Sequence, residues 1–100
     1  MKRIMPAPEL FLLSNTMYDF DSLTVSNVPA LWERRDEIFK DSVFDMGQMQ
    51  SVDSAGIAFL AQWALSKHDK KLKLQNVSDS ALALIKTLGV SDLFDAQKSV

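Results

Sequence analysis

The feature that most constrains this fold is a repeated change of hydrophobic periodicity from residue 26 onward. Apolar side chains recur at helical spacing in residues 26–39 and again in residues 54–67. The segments that follow, residues 42–46 and 71–75, are short and are either mostly apolar or alternating, which is typical of buried and half-exposed strands. Because helical crossovers join parallel strands, this order predicts an α/β domain whose later strands run parallel.

The N-terminal region adds two short predicted strands. Residues 9–14 and 16–20 are apolar or alternating and form a hairpin candidate, so we expect the central sheet to be mixed. Residues 1–8 match no regular pattern. We therefore expect a loose N-terminal arm over residues 1–8 and one domain over residues 9–100.

A third helix is predicted near the C-terminus, over residues 79–88. Ser78 is positioned to cap its start, and Gly89 is positioned to end it. The apolar residues of segment 90–94 are expected to fold back as a short turn or helix.

The helical patterns place the two tryptophans in different surroundings. Trp32 lies on the apolar face of the first helix, for which Ser26 is the predicted cap and Pro29 lies in the first turn, so we expect it in the core. Trp63 lies off the apolar stripe of the second helix, which predicts a partly exposed contact residue. The predicted buried faces comprise Val28, Leu31, Trp32, Ile38 and Phe39; Ile57, Leu60, Ala61, Ala64 and Leu65; and Leu82, Ile85 and Leu88.

Composition excludes several kinds of function. A formal charge of −2 argues against bulk electrostatic binding of nucleic acid or anionic lipid. The chain has no cysteine, and its one histidine, His68, cannot form a multi-histidine metal site. Its three glycines are too dispersed for a phosphate-binding loop. We therefore expect no catalysis, no cofactor and no metal.

Neither the charged run near His68 nor the basic start of the chain predicts a binding or targeting function. The run from His68 to Lys73 is interpreted as the solvated end of a helix and the outer face of a strand, because no aromatic residues are interleaved for stacking on nucleic acid. The basic start of the chain does not predict a signal peptide, since Pro6 and Pro8 interrupt the apolar stretch. We expect a cytoplasmic protein that does not insert into a membrane.

The most informative segment is residues 42–57, in which a predicted buried strand leads through a loop to Asp53-Ser54-Ala55-Gly56. Asp53 is a natural N-cap, and Ser54 then occupies the first helical position with its hydroxyl toward solvent. Gly56 early in a helix is unfavourable by roughly 1 kcal/mol relative to Ala, which suggests a close contact with its backbone. Taken alone, the tetrapeptide is consistent both with a capped helix packed tightly on a sheet and with a functional motif.

This order of elements resembles the STAS domain, the fold of anti-sigma-factor antagonists. The resemblance covers residues from about 9 to 94, and its specific part is the Asp53–Ile57 motif followed by the alternating strand and the third helix. It implies a STAS-like α/β domain with helices packed mainly on one face of the sheet. Residues 31–35, Leu-Trp-Glu-Arg-Arg, are most similar to the small cytoplasmic STAS subunit of Mla-type phospholipid ABC transporters of Gram-negative bacteria.

The resemblance also implies roles for individual residues. Ser54 matches the Ser or Thr that is phosphorylated in antagonist-type STAS domains, and Asp53 and Gly56 match the residues that flank it. Similarity to the transporter subunit implies that Asp53, Ala55 and Gly56, with the exposed side of the following helix including Trp63, contact the ATPase subunit of the transporter, which works in complex with a membrane permease.

Two functions remain open at this point. In the first, the domain is a non-catalytic subunit that supports or regulates the ATPase of a phospholipid transporter that maintains outer-membrane lipid asymmetry. In the second, it is an anti-sigma-factor antagonist switched by phosphorylation of Ser54. One departure from the family pattern concerns residues 21–24: a glycine often precedes a Leu-Asp pair there, and this chain has Asp-Ser-Leu-Thr instead. Contacts made by that loop in other members therefore do not transfer.

Overall fold

Parallel strand pairs form the framework of the domain. The structure, a computed structural model, describes residues 19–98. Strand β4 lies between β2 and β5 in a three-stranded sheet, and β1 pairs with β3. All of these pairs are parallel, as the helical crossovers predicted for the later strands. The strands are β1 (Ser22–Leu23), β2 (Val43–Asp45), β3 (Ser51–Val52), β4 (Leu72–Val77) and β5 (Phe94–Lys98).

Helices lie between β1 and β2, between β3 and β4, and between β4 and β5, and they confirm the α/β class. Two of the predicted helices, over 54–67 and 79–88, are present with slightly shorter bounds. The predicted hairpin over 9–14 and 16–20 lies outside the described residues except for Asp19 and Phe20, neither of which belongs to a strand. The helices are α1 (Val28–Glu33), α2 (Arg35–Ile38), α3 (Ser54–Leu65), α4 (Asp79–Thr87) and a short 3-10 helix (Ser91–Leu93).

The first predicted helix is divided at Arg34, whose backbone leaves the helical region. Its guanidinium bonds to the Asp19 carboxylate at 3.0 Å. The predicted cap at Ser26 is wrong, because the N-cap position belongs to Asn27. The Asn27 side chain bonds within the preceding loop, where it accepts from the Thr24 amide and donates to the Ser22 carbonyl. Pro29 lies in the first turn, as predicted.

Helix α3 is covered on more than one side, and this reverses the prediction for the tryptophans. Trp63 is fully buried, with 0 % of its surface exposed, and its indole N–H donates to the Asp41 carbonyl at 2.8 Å. Its ring packs against Phe44 and Phe39 at centroid distances of 5.1 and 5.8 Å. The prediction of an exposed Trp63 is therefore wrong. It assumed one buried stripe, whereas α3 contacts α1 and α4 as well as strands β1, β3 and β4.

Trp32 shows the opposite difference. It was predicted to lie in the core, but 37 % of its surface is exposed. The helix that carries it ends before Arg34, so a single helical face does not continue from Trp32 to Ile38. Leu65 and Leu88, also predicted to be buried, are exposed because each lies at the C-terminal end of its helix.

The C-terminal part combines confirmed and missed elements. Leu72 and Leu74 of β4 are buried, and Lys71 and Lys73 lie on its outer side, as the alternation predicted. Ser78 caps α4 by accepting from the Ala81 amide. Strand β5 was missed because its residues after Phe94 are exposed and polar or small, so they carry no alternation of burial.

Substitution of each tryptophan tests this assignment. We expect Trp63→Ala to lower the free energy of unfolding by about 3–5 kcal/mol, the usual range for a large buried aromatic side chain. Trp32→Ala should lower it far less, because a third of that side chain already contacts solvent. Urea unfolding monitored by far-UV circular dichroism measures both values, and equal losses would contradict the burial described here.

Candidate functional site

The site predicted from the sequence is built at the junction of β3 and α3. Asp53 has an extended backbone and is the N-cap of α3. One oxygen of its carboxylate, Oδ1, accepts from the Gly56 amide at 3.1 Å. Its backbone carbonyl accepts from the Ile57 amide at 3.0 Å, which begins the helix. The predicted cap is confirmed.

The second carboxylate oxygen of Asp53 has a partner that sequence reasoning missed. Oδ2 accepts from the Val25 amide at 3.0 Å, and the Asp53 amide donates to the Leu23 carbonyl at the same distance. Asp53 therefore joins the start of α3 to the loop between β1 and α1. No local pattern signals this contact, because 28 residues separate Val25 from Asp53.

These hydrogen bonds favour the ionised form of the Asp53 carboxylate. Donation from the Val25 amide, and then from the Gly56 and Ala55 amides, lowers the pKa of Asp53 below the ordinary value for an aspartate. The carboxylate is thus ionised at neutral pH and faces the positive end of the helix dipole.

Gly56 is buried and contacts the protein's own backbone. A Cβ atom built on Gly56 would lie 2.1 Å from the Leu23 carbonyl oxygen and 2.7 Å from the Leu23 Cβ. No side chain fits there unless α3 moves away from β1. Gly56 therefore serves the tight packing of a helix on a strand, one of the two interpretations that its position allowed.

Ser54 and Ala55 lie on the outer side of the same helical turn. Ser54 occupies the first helical position and is exposed, as predicted, while Ala55 is half-buried. Ala58 and Gln62 continue the exposed side of α3 one and two turns further along. The hydroxyl of Ser54 can thus be reached from solvent and borders a surface of small and uncharged residues.

An apolar groove of about 410 Å³ lies beside this surface, between α1 and α3. Trp32 forms one wall, with the Arg35 guanidinium 4.5 Å from its ring centroid. Glu33 is the one charged residue that lines the groove. The lining comprises Val28, Pro29, Trp32, Glu33, Ala55, Ala58, Phe59 and Gln62.

The arrangement brings together some of the predicted contact residues and separates others. Asp53, Ser54 and Ala55 lie together at the start of α3 beside the groove. Trp63 is in the core and cannot reach a partner, and Gly56 is covered by β1. Trp32 provides the accessible aromatic surface that was expected of Trp63. No feature of the sequence indicates this exposure, because helical periodicity places Trp32 on the buried face of the first predicted helix.

Residues 19–98 contain no group of three or more His, Cys, Asp or Glu side chains arranged to hold a metal ion. His68 follows the C-terminal end of α3, whose twelve residues span about 18 Å, so it lies far from Ser54. Lys67 and Lys70 follow the same helix end, where their ammonium groups donate to the Phe39 and Leu65 carbonyls. In this range, no helix combines the length and the hydropathy needed to cross a membrane.

Two substitutions test the roles of the helix-start residues. We expect Asp53→Ala to lower Tm by roughly 4–8 °C, because it removes a helix cap from a small domain. Ser54→Ala should leave Tm nearly unchanged, since its hydroxyl is exposed and is not the cap. Differential scanning calorimetry measures both shifts, and the reverse order would show that Ser54 is the true cap.

Acidification tests the charge of Asp53. Because its pKa is lower in the folded chain than in the unfolded chain, its stabilising effect is complete above the unfolded pKa of about 3.9. This effect is lost as the pH falls through the lower, folded pKa. The Tm difference between wild type and Asp53→Ala should therefore be constant between about pH 5 and 8 and shrink below about pH 4. A difference that grew on acidification would contradict the lowered pKa.

Comparison with known proteins assigns the family. The family model described as MlaB, STAS domain, matches residues 21–95, which include β1, the helix-start motif, β4 and α4. Searches of the curated proteins and of the solved structures each returned no match. Since the family match spans three quarters of the chain and the elements follow in the expected order, this chain belongs to the MlaB-type STAS domain family.

Proposed function

We propose that this domain is a non-catalytic subunit that binds the ATPase subunit, MlaF-like, of an inner-membrane phospholipid ABC transporter and supports or regulates it. The transporter would maintain the lipid asymmetry of the outer membrane. In this proposal the domain lies in the cytoplasm, reaches the membrane only through its partner and uses no cofactor. Its bounds, residues 9–100 with residues 1–8 as an N-terminal arm, extend the family match at both ends.

One observation supports the proposal most strongly: Ala55, which follows the exposed Ser54, lines an apolar groove that contains a partly exposed tryptophan. Tryptophan side chains are enriched among the residues that dominate the energy of protein interfaces. Trp32 therefore takes the anchoring role that the sequence had suggested for Trp63. The binding surface then comprises Asp53, Ser54, Ala55 and Trp32, and Gly56 supports it from within.

The position of Ser54 also explains how a modification would act. A phosphate on its hydroxyl would add a charge of about −1.5 to −2 at the start of α3. The helix dipole favours negative charge there, so the fold would tolerate it, whereas the ionised Asp53 next to it opposes the addition. The main consequence would be an added charge at the rim of an apolar surface, which weakens binding of a partner.

The second candidate is an anti-sigma-factor antagonist switched by phosphorylation of Ser54. The exposure of the hydroxyl at the first position of a capped helix favours it as well. Genomic context separates the two functions: permease, ATPase and lipid-binding genes beside this one support the transporter, and sigma-factor genes support the switch.

Co-purification with the ATPase encoded nearby tests the proposed surface. We expect Trp32→Ala to reduce recovery of the ATPase at least about tenfold, as truncation of an aromatic anchor does. Ser54→Glu should reduce it by charge and bulk while leaving Tm near the wild-type value. Leu88→Ala provides a matched control, because Leu88 is also an exposed apolar residue, at 44 %, and lies at the end of α4. Wild-type recovery with both Trp32→Ala and Ser54→Glu would place the binding surface elsewhere.

Absence of catalysis is a separate expectation. The isolated domain should hydrolyse neither ATP nor GTP, since no phosphate-binding loop is present in its sequence. A phosphate-release assay with a buffer blank measures this. Turnover above the blank that disappears in Ser54→Ala would overturn the non-catalytic assignment.

A further inference from the structure

The loop between β1 and α1 exposes an apolar side chain that packing within the described residues does not explain. Val25 is 69 % exposed, more than any other large apolar residue of the described range. It directly follows residues 21–24, where this chain departs from the usual family pattern. An exposed valine alone is ordinary, but this one lies on a loop that hydrogen bonds hold in place beside the apolar groove.

Several hydrogen bonds fix the loop in one conformation. The Asn27 side chain accepts from the Thr24 amide at 2.9 Å and donates to the Ser22 carbonyl at 2.7 Å. The Thr24 carbonyl accepts from the Asn27 and Val28 amides at 3.0 and 2.8 Å. At the tip, the Val25 amide donates to Asp53 Oδ2. The valine side chain is therefore presented to solvent on a backbone that is bonded on both sides.

The loop is continuous with the proposed binding surface. Val25 bonds to the residue that precedes Ser54, and Val28, three residues further on, lines the apolar groove. The groove contains no lysine or arginine and one acidic side chain, Glu33. Together with the ionised Asp53, this gives an apolar patch with two carboxylates near one edge, while the Arg35 guanidinium lies against the Trp32 ring, 4.5 Å from its centroid. The complement of the edge that carries Glu33 is an apolar side chain next to a basic one.

We propose that the loop 24–27 is a specificity-determining part of this surface, in which Val25 contacts an apolar side chain of the partner and Asp53 is the positioning residue that holds Val25 in place. This inference rests on the proposed function, because the partner is the same ATPase subunit. It adds that the contacting region of that subunit is apolar and carries a basic side chain that faces Glu33. Asp53 thereby acts on binding through the loop as well as on stability through the helix cap.

A charged substitution at Val25 is the first test. We expect Val25→Asp to weaken the Kd for the purified ATPase at least about tenfold, because it places a carboxylate in an apolar contact. Val43→Asp is the matched control: Val43 is 39 % exposed and lines a cavity with His68 and Lys71, beyond the opposite end of α3. It should bind within about twofold of wild type. Glu33→Lys should slow association and weaken its dependence on salt.

Substitution of Asp53 by Asn separates its two roles. Asn is also a good N-cap, and its single side-chain oxygen can accept from Gly56. Its amide nitrogen is a donor and cannot accept from Val25. In Asp53→Asn, we therefore expect hydrogen exchange of the Val25 amide to accelerate while the Gly56 amide stays protected. Asp53→Asn should lose as much affinity for the ATPase as Val25→Ala does. The variant that carries both substitutions should bind no more weakly than the weaker-binding of the two single variants.

The outcomes distinguish this inference from the proposed function. Wild-type binding by Val25→Asp, together with weakened binding by Trp32→Ala, overturns the role of the loop and leaves the proposed function intact. Additive losses in the double variant overturn the positioning role of Asp53 alone. If wild type does not bind the ATPase, or if Trp32→Ala and Ser54→Glu bind normally, the proposed surface fails and this inference fails with it.

Discussion

The contact between Gly56 and the Leu23 carbonyl is the constraint on which the rest of the site depends. It brings the first turn of α3 against the backbone of β1, closer than any other residue type permits. At this separation the Asp53 amide reaches the Leu23 carbonyl, and the Asp53 carboxylate reaches the Val25 amide. The exposed position of Ser54 follows, since the opposite side of the same turn is fixed against the strand. Gly56 thus underlies both the buried packing of α3 on β1 and the outward position of Ser54.

The sequence was most informative where the local pattern and the tertiary environment agree. The alternation of Leu72 and Leu74 with lysines matches a strand that is covered on one face, and Asp53 and Ser78 cap helices as their positions predicted. These features depend on neighbours within a few residues. The α/β class could therefore be derived from periodicity and capping, and the family resemblance from the motif that follows the predicted strand over residues 42–46.

Prediction failed where burial depends on distant parts of the chain. Periodicity identified one apolar stripe on α3, but a helix packed between a sheet and other helices buries further positions, and Trp63 occupies one of them. Trp32 is 37 % exposed and lies on a helix that ends before Arg34, whose guanidinium bonds to the Asp19 carboxylate. The bond between Asp53 and Val25 likewise joins residues far apart in sequence. The errors for Trp63 and Trp32 both affect the candidate site, because its accessible aromatic residue lies on α1 and was expected on α3.

The two tryptophans lie in different environments, so their fluorescence reports on different parts of the protein. Trp63 is shielded from water and is surrounded by phenylalanine rings, whereas Trp32 is in contact with solvent and with the Arg35 guanidinium. Indole emission shifts to longer wavelength in water, so the emission of the two residues is separable by colour and by access to a soluble quencher. With Trp32 replaced by phenylalanine, fluorescence follows the integrity of the core. With Trp63 replaced in the same way, it follows events at the groove.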